Sequence, residues 1–130
     1  MNRESVLNKI KLALIEAGNN NVYLNYGNID ESNIDNDVAI TITPIHYEEM
    51  TSVFDNNIVY TPFKLEFEIH LIFTKEHSFS DIYEYYETKV IPAMLGISGT
   101  TYHMIKMNLK YEHEHLVLKS LLQLYGVGKD

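Results

Sequence analysis

The chain has 130 residues, a mass of 15.1 kDa and no cysteine. That length predicts one domain, residues 1–130, large enough for a real core without staples. The missing thiols exclude a disulfide scaffold, a cysteine nucleophile and a thiolate metal site. Ten Lys and Arg stand against 18 Asp and Glu, a net charge of −8. Binding to nucleic acid regardless of sequence rests on neutralising phosphates, and no basic cluster is present to do it.

Residues 2–17 predict an amphipathic helix, with Val6, Leu7, Ile10, Leu14 and Ala17 along one side. Asn2 is a candidate N-cap and Gly18 a left-handed stop. Charges recur through this segment, so it predicts no signal peptide. No apolar run approaches the 18 or so residues of a membrane span. The expectation is a soluble protein made in the cytoplasm.

Val22–Tyr26 predicts a short strand, and the polar stretch Gly27–Asp37 an exposed loop. Val38–Ile45 alternates as a strand. Tyr47–Thr74 predicts a long hairpin: Met50–Phe54 as one arm, Asp55-Asn56-Asn57 as the turn. Its second arm carries the clearest pattern in the chain. Phe63, Leu65, Phe67, Ile69, Leu71 and Phe73 share one face; Lys64, Glu66, Glu68, His70 and Thr74 share the other, with Ile72 the apolar exception. Such alternation predicts a sheet covered on one face and wet on the other.

Ser78–Leu95 predicts a second helix, with Ser78 and Asp81 as a capping pair and Ser80 as a rival cap. Ile82, Tyr86, Val90 and Ala93 or Met94 form its apolar stripe, and Pro92 predicts a break. Gly96 and Gly99 end it. Two strands close the chain: Ile105, Met107, Leu109 and Tyr111 alternating with Lys106, Asn108, Lys110 and Glu112, then Leu116–Tyr125 after a turn at Glu112–Glu114. The class is α+β, an antiparallel sheet with two helices on one face, in the order αββββαββ.

Chemistry is sparse. His113 and His115 are two apart on a strand and could share a metal, with His103 as a third ligand. The plainer reading is a polar turn. Asp30, Glu31, Asp35 and Asp37 lack the spacing and the glycine of a calcium loop. GVGK near the end is too short for a phosphate loop, and no GxSxG elbow occurs. No catalytic constellation emerges and no cofactor is expected; the chain does not read as an enzyme.

The layout does resemble a known family. NRESVLNKIKLALIEAG leads directly into VYLNY, VAITITP follows the acidic loop, and FKLEFEIHLIF leads into FSDIYEYYETKVIPAMLG. IKMNLKYEHEHLVLKSLLQLYG forms the closing hairpin. In length and element order this resembles the tail terminator and tail-to-head joining proteins of long-tailed bacteriophages. The resemblance implies a structural virion protein at the head–tail interface. It implies a ring of identical subunits, commonly a hexamer, on the head-proximal end of the tail tube. The ring stops tube growth, contacts the tube protein and the head connector, and lets DNA pass without specific binding. No catalytic residue is implied.

Two surfaces follow from that role. The Tyr47–Tyr60 hairpin, with Met50, Val53, Phe54, Ile58 and Val59, has too many apolar groups for a free hairpin and reads as a contact with a neighbouring subunit. Its plainer reading folds back on its own sheet. Glu66 and Glu68, with the 30–37 loop, read as lining the lumen. Two other readings are another phage neck or tail completion component, and a small metal-binding α+β domain.

Overall fold

The computed structural model describes residues 3–24, 38–73, 77–112 and 115–129. Helix α1 (Arg3–Glu16) opens the chain, followed by strands β1 (Val22–Leu24), β2 (Val38–Glu49), β3 (Val53–Asp55) and β4 (Ile58–Phe73). A helical segment comes next: α2 (Phe79–Tyr85), a π-helical turn (Tyr86–Val90) and α3 (Ile91–Leu95). Strands β5 (Thr100–Glu112) and β6 (His115–Lys129) finish the fold. The six strands form one sheet in the order β1-β2-β4-β6-β5, with β3 also paired to β4. The expected α+β class and element order hold, with one correction. The sheet is mixed, because β1 runs parallel to β2 in the register Val22↔Ile40.

Hydrophobic alternation places β4 at the centre. Its odd-numbered residues, Phe63 to Phe73, are all buried and join Val6, Leu7, Ile10 and Leu14 of α1 in one core. Ile82, Tyr86, Val90, Ala93 and Met94 cover the same face. Burying each large side chain contributes roughly 1.5–3 kcal/mol.

The second helix starts where the capping pair predicts. The Ser78 hydroxyl accepts from the Asp81 N–H at 3.2 Å, and an Asp81 carboxylate oxygen accepts from the Ser78 N–H at 3.0 Å. Ser80 is not the cap; its hydroxyl meets that of Ser78 at 3.0 Å. The expected break is real but comes one turn before Pro92, which sits in the first turn of α3 where its missing N–H costs nothing. Buried Asn19 secures the break: its amide donates to the carbonyls of Leu14 at 2.8 Å and Lys89 at 3.1 Å. Its side-chain oxygen accepts from the Tyr85 hydroxyl at 2.6 Å. One side chain thus satisfies carbonyls freed at the end of α1 and at the π-helical turn.

The strands run longer than expected, β5 from Thr100 and β6 to Lys129, and two irregularities have a local reason. β2 runs on to Glu49 because an irregularity at Ile45, beside Pro44, lets pairing resume at His46↔Glu66. Tyr47–Glu49 therefore belong to β2. In β5 a matching irregularity at Ile105 inverts the alternation. Tyr102, Met104, Met107 and Leu109 pack against the core, while Ile105 is exposed.

Candidate assembly surface

The hairpin turn lies where the sequence puts it. Asn56 (φ 49°) and Asn57 (φ 68°) both adopt the left-handed conformation, the signature of a two-residue type I′ turn. Asparagine tolerates that conformation better than most side-chain-bearing residues. The turn joins β3 to β4 through Val53↔Tyr60, Phe54↔Val59 and Asp55↔Ile58.

The arm is shorter than Met50–Phe54 because the ladder breaks at Pro62. Met50 donates its N–H to the Pro62 carbonyl at 2.8 Å, but Pro62 has no N–H to return. Pairing resumes at Val53, and the hydroxyls of Ser52 and Thr61 meet across the gap at 3.0 Å. β2 and β3 thus form one interrupted run along β4.

This tip carries exposed apolar side chains, as do Leu12, Leu95 and Tyr111 elsewhere. Phe54 is 77% exposed, Val53 54% and Met50 45%. Ile58 and Val59 are half-buried. Val127, 50% exposed, lies nearby, opposite Pro62 on β6. A shallow hollow between Met50, Pro62, Tyr125, Gly126 and Val127 continues the patch onto the sheet. The hairpin pairs back on its own sheet and half-buries Ile58 and Val59, but leaves Met50, Val53 and Phe54 exposed.

The sheet face turned away from the helices carries Glu66 and Glu68, both engaged. Glu66 accepts from the Gln123 amide at 2.8 Å and lies 3.7 Å from the Lys64 ammonium. Lys64 also reaches Glu48 at 3.7 Å, and Glu48 lies 3.6 Å from His46. Glu68 meets His70 at 2.7 Å. Such pairs on an accessible face are worth about 0–1 kcal/mol each. The face is divided in sign. Acids sit on β2, β3 and β4, whereas β5 and β6 supply Lys106, Lys110 and Lys119, with Glu112 the only acid in their sequence. The same face also has a dry corner, where Ala39, Ile72 and Val117 lie side by side and are fully buried.

Of the metal candidates, His103 and His115 are not brought together. His103 pairs with Gln123, and His115 with Glu112 at the far end of the same hairpin. Nine residues of strand separate those positions, about 30 Å. His113 lies outside the described residues, as do Asn2 and the 27–37 loop. Among the described residues no group of three His, Asp or Glu side chains converges as a metal site requires.

Sequence reasoning missed a polar spot inside the core. The hydroxyls of Tyr86 and Tyr102 are buried beside each other, with Ser120 next to Tyr86, and neither has a hydrogen bond of good geometry. Burial pushes the Tyr86 phenol well above the usual tyrosine range, and the neighbouring Ser120 hydroxyl only partly offsets this. Ser120 is itself fully buried at an inward position of β6. A lone serine among leucines was the available signal.

The sequence matches no known protein family, and no curated protein matches it. Among solved structures, the fold is similar to that of the sheath/tube terminator of an extracellular contractile injection system, in its extended state. The two superpose with a TM-score of 0.58 at 11% identity over 100% of this chain. This chain spans 57% of the length of that terminator chain. The likeness is one of fold.

Proposed function

We propose that this protein is a ring-forming terminator of a tail tube, of the bacteriophage or contractile-injection type. One observation carries the reading: the fold of this chain is similar over its full length to just over half of a sheath/tube terminator chain. The exposed tip supports it. Exposed Val53 and Phe54 stand on opposite faces of a strand that ends in a type I′ turn, which suits a tip gripped by a second subunit. In this reading identical copies contact one another head to tail and close by rotation at the end of the tube. The role is structural, without a reaction. Its partners are further copies of itself, the tube protein and a head-side connector, and its place is the head–tail interface of the particle. DNA passes through the ring without sequence recognition.

The test is tube growth. Purified protein added to polymerising tube subunits of the same particle should cap them and narrow their length distribution. Tubes that grow equally long with and without it overturn the proposal.

A further inference from the structure

Among the described residues the sheet has two flanks without a neighbouring strand, and they differ in charge. At one end of the strand order, β5 pairs only with β6, and its outer flank meets no described strand. It presents exposed Lys106 and Lys110 on the face away from the helices. At the other end, β1 covers β2 only at Ile40–Ile42. Beyond that point the flank of β2 and β3 meets no described strand and carries exposed Glu48, Glu49 and Asp55. Glu48 and Asp55 lie on the same face as the two lysines, by their registers opposite Lys64 and Ile58. A groove lined by Arg3, Pro44, Ile45, His46 and Tyr47 runs beside this second flank. Arg3, at its head, lies 3.1 Å from Glu4, and Glu48 is shared with Lys64 at 3.7 Å; Glu48, Glu49 and Asp55 against Arg3 leave the flank acidic.

We infer that these flanks are the two halves of one subunit–subunit contact, the β5 flank of one copy against the β2–β3 flank of the next. The inference rests on the terminator reading and specifies its interface. Charge selects the pairing. Two β5 flanks set together oppose Lys to Lys, and two β2–β3 flanks oppose acid to acid, whereas the mixed pair is complementary. A two-fold dimer through like edges is therefore disfavoured, and a head-to-tail contact, the kind that closes a ring, is favoured. Strand direction agrees. Three successive antiparallel pairings, β2 to β4, β4 to β6 and β6 to β5, leave β5 running opposite to β2. Side by side around a rotation axis, the flanks of neighbouring copies meet antiparallel, the more stable arrangement. Each flank also carries an irregularity with an exposed isoleucine, Ile45 and Ile105. Such features discourage indiscriminate edge pairing and leave charge and shape to choose the partner.

Charge reversal tests this in both directions. Lys106→Glu with Lys110→Glu makes both flanks of a copy acidic; Glu48→Lys with Asp55→Lys makes both basic. Each variant alone should stay folded by circular dichroism yet lose ring assembly on tubes, and an equimolar mixture should recover it, because acidic and basic copies then alternate. Rings formed by either variant alone at the wild-type level, or a mixture of folded variants that fails to recover, overturn the inference. Should a reversed variant misfold, Lys106→Gln with Lys110→Gln serves instead. The wild type should assemble less as salt rises, and the glutamine variant should assemble poorly with little further response; an unchanged salt response overturns the inference. If wild-type protein neither forms rings nor caps tubes, the terminator reading itself fails, an outcome separate from these.

Discussion

Residues Phe63–Phe73 and Ile58–Tyr60 belong to one strand, β4, and the fold treats them in opposite ways. The first stretch has β2 on one side, β6 on the other and helices over its odd-numbered side chains, all of which are buried. The second is held by three-residue β3 on one side and by β6 only at Tyr60 on the other, and leaves its partners Val53 and Phe54 in solvent. Backbone period is the same in both. What differs is the cover over the strand, so apolar side chains are buried in one stretch and partly exposed in the other.

Cutting into the buried stretch gives the largest effect. Phe67→Ala should destabilise the monomer by about 3–5 kcal/mol, read as a lower denaturant midpoint; an unchanged midpoint breaks the contrast. Gly126→Ala should come next. A Cβ there falls 2.6 Å from the Phe63 ring and 3.0 Å from Thr100, so overpacking of about 1–3 kcal/mol is expected. Phe63→Leu alongside it should restore part of the loss.

Ser78→Ala removes half of the capping box and should cost about 0.5–2 kcal/mol in urea unfolding. Hydrogen bonds from Ser78 hold the Asp81 carboxyl below its ordinary value. Its contribution is present above the ordinary carboxylate range and fades as pH falls through the folded-state value. Ser78→Ala should weaken that acid dependence, whereas buried Tyr86 acts at the other extreme. Its phenol must stay protonated in the fold, so stability falls once pH rises above about 10, where the unfolded chain ionises. Tyr86→Phe should shift alkaline unfolding to higher pH.

The smallest effect on folding belongs to the tip. Phe54→Ser should change monomer stability by under about 0.5 kcal/mol while reducing ring formation and tube capping. A variant that folds and caps tubes normally removes Phe54 from the interface.

The buried half of this contrast was legible in the sequence. Six alternating apolar residues from Phe63 fixed the central strand, and Asp55-Asn56-Asn57 marked its turn. Irregularities were not legible. Nothing in TYHMIKMNLKY announces that Ile105 turns outward and that Met104 and Met107 share the inner face, because a one-residue insertion in pairing depends on the partner strand. The parallel pairing of β1 is likewise a tertiary choice, made when α1 docks beside β1 and β2. At the surface, Met50, Val53 and Phe54 could be named from composition, but their exposure depends on the cover the fold gives them. The division of charge across the sheet needed the strand order, since Lys106 and Glu48 are far apart in sequence and occupy opposite flanks only in the fold.

Imaging of tube ends tests the central claim most directly. Tail tubes assembled with this protein should show, by electron microscopy, a closed ring of identical subunits at one end only, with the 53–60 tip at a contact between neighbouring copies. Protein found along the tube walls, at both ends alike, or as isolated monomers that leave the ends open contradicts it.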